Sequence, residues 1–172
     1  MSAPAPPMLS PEAKAVADRL GLTKGRANLE AFADTLLELA RGDRRIMAVT
    51  SDSRGSGRLG PFGKALPEQI VEVGIAEQNL VGIAAGLAAC GKKPFATSPA
   101  CFLTARALEQ VKNDVCYSDV PAVLVGISAG VSYGALGSTH HSLHDIAALR
   151  AIHTITIVAP ADNAETVAAV QA

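Results

Sequence analysis

The chain has 172 residues, 49% of them hydrophobic and 18% charged, and a formal net charge of −1. The near-neutral balance without a basic stripe excludes a nucleic-acid-binding surface, and the apolar run within residues 79–90 is too short and too broken by glycine to span a membrane. So apolar a composition in a single domain's length predicts more buried surface than a monomer needs, hence an oligomer or a missing partner.

In chain order, residues 1–9 read as a Pro/Ala tail and 11–20 as a helix, so 1–24 form a leading segment ahead of one domain at 25–172. The opening "MSAPAPPMLSPEAKA" has neither a basic nor an apolar export region, which leads to a cytoplasmic expectation. Leu29, Phe32, Leu36, Leu37 and Leu39 recur at helical spacing and predict a helix over 27–40. "RIMAVTSDS" is a strand running into a polar loop, and "SRGSGRLGPFGKALPEQ" is a long Gly/Pro loop of the kind that usually carries function. "QIVEVG" is the next strand, followed by a helix over 76–90, a strand at "KPFATS" and a helix at "CFLTARALEQVKNDV". "PAVLVGIS" is a fully apolar strand, and "AGVSYGALGSTHHS" is a second glycine-rich loop. A helix at "LHDIAALRAI", a strand at "TITIVAP" and a helix N-capped by Asp162 complete the series. The chain is expected to be cut near this last helix. Apolar strands alternating with helices predict an α/β fold, a three-layer α/β/α arrangement around a mostly parallel sheet. Cys90, Cys101 and Cys116, with no CxxC among them, read as small core residues in a reducing compartment.

Three stretches invite chemistry. "GSGRLG" at Gly55–Gly60 spells a dinucleotide fingerprint, but Pro61-Phe62-Gly63 follows where a helix should open, so a substrate loop fits better. His140, His141 and His144 cluster beside Asp145, yet nothing completes a metal set, and hydrogen bonding to a polar ligand is the better use. No metal site is assigned to this chain. The third stretch is "GIAEQNLVGIAAGLAACG", which sets one carboxylate, Glu77, at the head of an Ala/Gly helix. An acidic first turn complements the helix dipole. An apolar setting also favours a carboxyl group that can donate a hydrogen bond to a ring nitrogen. Gly82, Ala84, Ala85, Gly86, Ala88 and Ala89 leave the helix bare, which predicts self-association across 76–90.

"EVGIAEQNLVGIAAGLAACGKKPF", "FLTARALEQVKNDV", "GSTHHSLHDIAALRAI" and "IVAPADNAE", in that order, resemble the pyrimidine-binding domain of transketolases, most of all the C-terminal subunit of bacterial split transketolases. The resemblance runs from about residue 26 to the end. It implies thiamine diphosphate as cofactor, with Glu77 hydrogen-bonding the aminopyrimidine nitrogen and favouring the imino tautomer that deprotonates the thiazolium carbon. It implies that Phe102 stacks on the pyrimidine, that Asp52 and Ser56 belong to a loop touching cofactor and substrate phosphate, and that Arg26 grips that phosphate. His140 would face the substrate and serve with Glu77 as a catalytic residue. The resemblance further implies that Mg²⁺ is held by a separate N-terminal, diphosphate-binding subunit in an α2β2 assembly, because this chain has no Gly-Asp-Gly…Asn segment.

Several positions depart from the family. Pro99 stands for a second aromatic and His141 for a glutamine. Leu136, in Gly134-Ala135-Leu136-Gly137, replaces a sugar-reading aspartate, and Ser128 replaces a substrate-binding histidine. Losing groups that hydrogen-bond hydroxyls changes specificity by about 10⁴-fold or more. The expected reaction is therefore two-carbon ketol transfer between sugar phosphates or modified sugars. Thiamine-dependent decarboxylation of a 2-oxo acid and a non-catalytic architectural role are the alternatives.

Overall fold

The structure is a computed structural model that describes residues 10–22 and 25–172, so the expected tail at 1–9 lies outside the described residues. Its frame is a four-stranded sheet of β1 (Ile46–Thr50), β2 (Ile70–Glu72), β3 (Lys93–Pro99) and β4 (Val123–Ile127), ordered β2-β1-β3-β4 with every pairing parallel. Successive side chains of a strand face opposite sides, and the core divides accordingly. Ala48 and Phe95 pack with Phe32, Leu36, Leu59 and Phe62 on one side, while Val49 and Ala96 pack with Leu80, Val81, Leu103 and Val111 on the other. Helices on both faces of a parallel sheet are the α/β architecture the sequence predicts.

Helix α1 (Pro11–Arg19), expected at 11–20, buries none of its residues; the first face is covered by α2 (Asn28–Gly42), whose buried Phe32, Leu36 and Ala40 follow helical spacing, and by α3 (Gly60–Ala65). That second helix corrects the sequence reading. Pro61 is compatible with a first turn because its missing N–H has no intrahelical partner there, so the glycine loop does open into a helix, seated by Leu59 and Phe62. The other face is covered by α4 (Glu77–Ala89), which ends in a Schellman turn. The Lys92 N–H donates to Leu87 O at 3.0 Å and the Gly91 N–H to Ala88 O at 2.9 Å, with Gly91 at φ +79° in the left-handed region.

The helix expected at 101–115 is instead divided. α5 (Ala100–Arg106) stops at Ala107, and α6 (Leu108–Gln110) runs on as π-helix over Val111–Tyr117, a geometry often found beside functional sites. α7 spans only Asp145–Leu149. α8 (Asn163–Gln171) starts as predicted, with the Asp162 side chain accepting from the Glu165 N–H at 2.8 Å and the Glu165 side chain accepting from the Ala161 N–H at 2.7 Å.

The strand expected at 154–160 is not paired. Ile155 and Ile157 alternate inward as a strand's residues would, but Thr154 turns left-handed at φ +66° and its hydroxyl donates to Cys116 O at 3.2 Å. That tie directs the segment's entry to the end of the π-helix instead of the edge of β4, and Pro160 lacks an N–H. The small-residue stripe of α4 is partly consumed within the chain. Ala84, Ala85 and Ala88 are buried, whereas Gly86 and Ala89 are not. Cys101 and Cys116 are buried as expected, but Cys90 is exposed.

Candidate functional site

Parallel sheets present ligands at the carboxyl ends of their strands, and the residues singled out by sequence gather at that edge. Asp52 follows β1, Glu77 opens the helix after β2, Phe102 lies in the helix after β3, and Ser128 follows β4. Asp52 (φ +51°) and Ser128 (φ +56°) both sit in the left-handed region, which costs a non-glycine residue free energy and recurs at ligand sites. Asp52 is held there by Glu72, whose Oε1 accepts from the Asp52 N–H at 2.7 Å and from the Gly74 N–H at 3.0 Å.

Glu77 is only 2% exposed. The sequence reading leaves it among apolar groups, and the structure corrects this. Arg106 Nη1 donates to Glu77 Oε2 at 2.7 Å, although Arg106 itself is 46% exposed. The same guanidinium lies over the Phe102 ring, 4.5 Å from its centroid, at a distance suited to a cation–π contact. Sequence reasoning missed Arg106, yet the signal was present. It stands four residues after Phe102 on one helix, the spacing at which side chains share a face.

His140 meets Phe102 edge-on, with ring centroids 5.2 Å apart, and Tyr133 at 5.6 Å. Its Nδ1 is within hydrogen-bond distance, 3.0 Å, of Thr139 Oγ1. An open cavity of about 420 Å³ adjoins this group, lined by Phe102, Ala105, Arg106, Thr139, His141 and His144, together with Cys101 and Ser138. Burial pushes the Cys101 thiol above its ordinary pKa, so it is a poor nucleophile. Glu77 is not part of the cavity wall; Arg106 spans the distance between the two.

The three clustered histidines take separate partners. His141 Nε2 is 3.1 Å from Gly134 O and His144 Nε2 is 3.5 Å from Thr104 Oγ1, while His140 packs edge-on against Phe102. Among the described residues, no three His, Cys, Asp or Glu side chains are gathered as a metal site would require. Ser56 and Leu136 are exposed on their loops and do not line the cavity. Arg26 pairs with Asp34, and its carbonyl accepts from Asn163 Nδ2 at 3.2 Å, so it too lies off the cavity wall. The structure therefore brings Glu77, Phe102 and His140 together and leaves Arg26, Ser56 and Leu136 outside that group.

Comparison with known proteins matches residues 24–172 to the family model of the transketolase pyrimidine-binding domain. The chain is 60% identical over 137 residues to one of the subunits of an apulose-4-phosphate transketolase from Phocaeicola vulgatus, an alignment covering 80% of this chain and 44% of that protein. It is 36% identical over 136 residues to a 6-deoxy-6-sulfo-D-fructose transketolase subunit from a Clostridium species, covering 79% of this chain and 42% of the relative. The chain thus spans less than half the length of these relatives. Among solved structures, a split-gene transketolase described as an inactive beta4 tetramer superposes with a TM-score of 0.75 at 37% identity, covering 86% of this chain and 46% of that one.

Proposed function

The chain belongs to the transketolase pyrimidine-binding domain family, and on that premise we propose that it supplies the pyrimidine-facing half of a thiamine diphosphate site in an enzyme transferring a two-carbon ketol unit between sugar phosphates or modified sugars. The observation that carries this reading is the pairing of a buried carboxylate, Glu77, with a flat aromatic face, Phe102, beside an open cavity. A flat, nitrogen-bearing ring needs both, and about 420 Å³ lies within the range of small-molecule pockets. The residues fit the aminopyrimidine end. For a metal-bound diphosphate the reading looks elsewhere, because the sequence has no Gly-Asp-Gly…Asn segment. The reading therefore assigns Mg²⁺ and the diphosphate to a partner subunit in a heterotetramer, with residues 25–172 as the domain contributed here.

Bound thiamine diphosphate would supply a nucleophilic carbon for attack on a ketose carbonyl. This chain's task is to place and prime it. Glu77 holds a proton at a ring nitrogen, Phe102 sets the ring plane, and His140, edge-on to Phe102, faces the substrate. Asp52, Ser56, Arg26, Ser128 and Leu136 belong to the outer rim in this reading. Loops 51–59 and 129–142 would complete that rim on assembly. In this reading the uncovered face of α4, where Gly86 and Ala89 are exposed, is the contact between copies. A cytoplasmic location accompanies the proposal; among the described residues, no helix is long and apolar enough to cross a membrane.

The identities of the relatives support a substrate other than the common pentose phosphates, in line with the departures at Leu136 and Ser128. The 2-oxo acid alternative draws on the same two positions, and product analysis with a ketose phosphate against a 2-oxo acid separates them. The central test is Glu77→Gln in the assembled enzyme. Turnover is expected to fall by about 10²–10⁴-fold, the usual worth of positioned proton transfer, with the melting transition retained. Unchanged turnover would remove the reading, and cofactor binding without any turnover in the natural sequence would leave an architectural role.

A further inference from the structure

We infer that Arg106 is the positioning residue of this site, holding the Glu77 carboxylate by one oxygen so that the other is presented to the ring that lies on Phe102. The inference rests on the functional reading above and adds a residue to it. Three observations carry it. Arg106 bonds only Oε2 of Glu77, at 2.7 Å. Its guanidinium is simultaneously seated on the Phe102 face, 4.5 Å from the centroid. Arg106 lines the cavity, whereas Glu77 does not.

One planar group therefore joins the two side chains that would grip a flat heterocycle. A buried carboxylate with a single charge-assisted bond is oriented by that bond, and the bond decides which oxygen stays available. The planar fork also suits a position against an aromatic ring, which a lysine ammonium cannot occupy in the same way. The break of the helix at Ala107, directly after Arg106, ends the α-helical repeat at the residue whose direction matters. Arg106 itself makes no contact with the reacting carbon in this scheme; its influence is exerted through Glu77.

The test is a double-mutant cycle on equilibrium binding of thiamine diphosphate with Mg²⁺ to the chain assembled with its partner subunit, with melting temperature recorded for each variant. Arg106→Met is expected to weaken binding about tenfold, the usual worth of a bond to a charged group. Arg106→Lys should recover part of that loss, because it restores the charge without the planar seat. In a Glu77→Ala background, Arg106→Met should then change affinity less than about twofold, because the residue it acts through is gone. Equal or tighter binding by Arg106→Met, or the same tenfold loss with Glu77 already removed, overturns the inference while leaving the cofactor assignment standing. If Arg106→Met does not assemble, the Lys variant carries the cycle; wild-type affinity there, alone and with Glu77→Ala, overturns it equally. Absence of binding by the unmodified complex instead removes the functional reading and this inference with it.

Discussion

The two glycine-rich loops look alike in sequence and end in opposite states. In residues 51–69 the chain winds through tight turns, with the Gly57 N–H donating to Ser53 O at 2.7 Å and the Leu59 N–H to Arg54 O at 2.9 Å, and then drives Leu59 and Phe62 fully into the core. Gly57 suits that turn, since a Cβ would sit 3.0 Å from Ser53 O and 3.1 Å from the Thr97 methyl, tighter than side chains normally pack. Residues 129–142 also turn tightly, with a 3₁₀ turn over Gly134–Leu136 and His141 Nε2 3.1 Å from Gly134 O, and are joined at the neck, where Gly130 and Ser142 exchange backbone bonds of 3.0 and 2.8 Å. Beyond the neck Val131 and Leu136 face solvent, as does Leu143 just after it. The difference lies in the period of the apolar residues. Leu59, Phe62 and Leu66 fall at helical intervals and share one face, whereas Val131, Leu136 and Leu143 match neither a helix nor a strand. One loop is an anchor and the other is an outward-facing arm that carries His140.

The sharpest way to break this contrast is to cut the anchor. Phe62→Ala should lower unfolding stability by about 3–5 kcal/mol, the usual cost of emptying a buried aromatic site, read from the denaturant midpoint. A loss below about 1 kcal/mol would mean that the first loop is no better anchored than the second. His140→Ala probes the arm's chemistry. On the proposed function, ketol transfer by the assembled enzyme should fall about 10–100-fold, equivalent to losing one strong hydrogen bond of about 1.5–3 kcal/mol, while the melting temperature stays within a degree or two. A large melting shift with unchanged turnover would make His140 a packing residue against Phe102 and Tyr133. The smallest effect is expected at the tip. Leu136, 54% exposed, should tolerate Leu136→Ser within about 0.5 kcal/mol in the isolated chain, and a larger loss would show the arm to be packed after all.

Much of this architecture was legible because strands of a covered parallel sheet tend to be apolar, as β1 and β4 are. β1, β3 and β4 appear at the expected places, and Asp162 caps its helix for the reason its side chain suggests. The failures have separate physical causes. α3 was hidden because glycine and proline read as breakers, when Pro61 at a first turn is permissive and the Leu59/Phe62 interval was the stronger signal. The segment at 154–160 keeps a strand's alternation, but pairing depends on where its first residue is tied, and the bond from Thr154 to Cys116 is tertiary information. In the candidate site, Glu77 and Phe102 were singled out through their resemblance to a family motif. Arg106 was legible only as a helix-face neighbour of Phe102; its bond to Glu77, 29 residues earlier in sequence, is tertiary information.

Glu72 shows what such an economy of parts entails. One carboxylate oxygen receives the backbone of Asp52 from one turn and of Gly74 from another, joining the exit of β1 to the approach of α4. In the vocabulary of mechanical design this is a shared pin, set beside the ladder of β1 on β2 and its following bond, from the Val73 N–H to Thr50 O at 3.0 Å. The turn that leads into the first loop and the turn that delivers Glu77 are thus registered twice, by the strand pairing and by this one oxygen, and a displacement of the oxygen is felt by both turns at once.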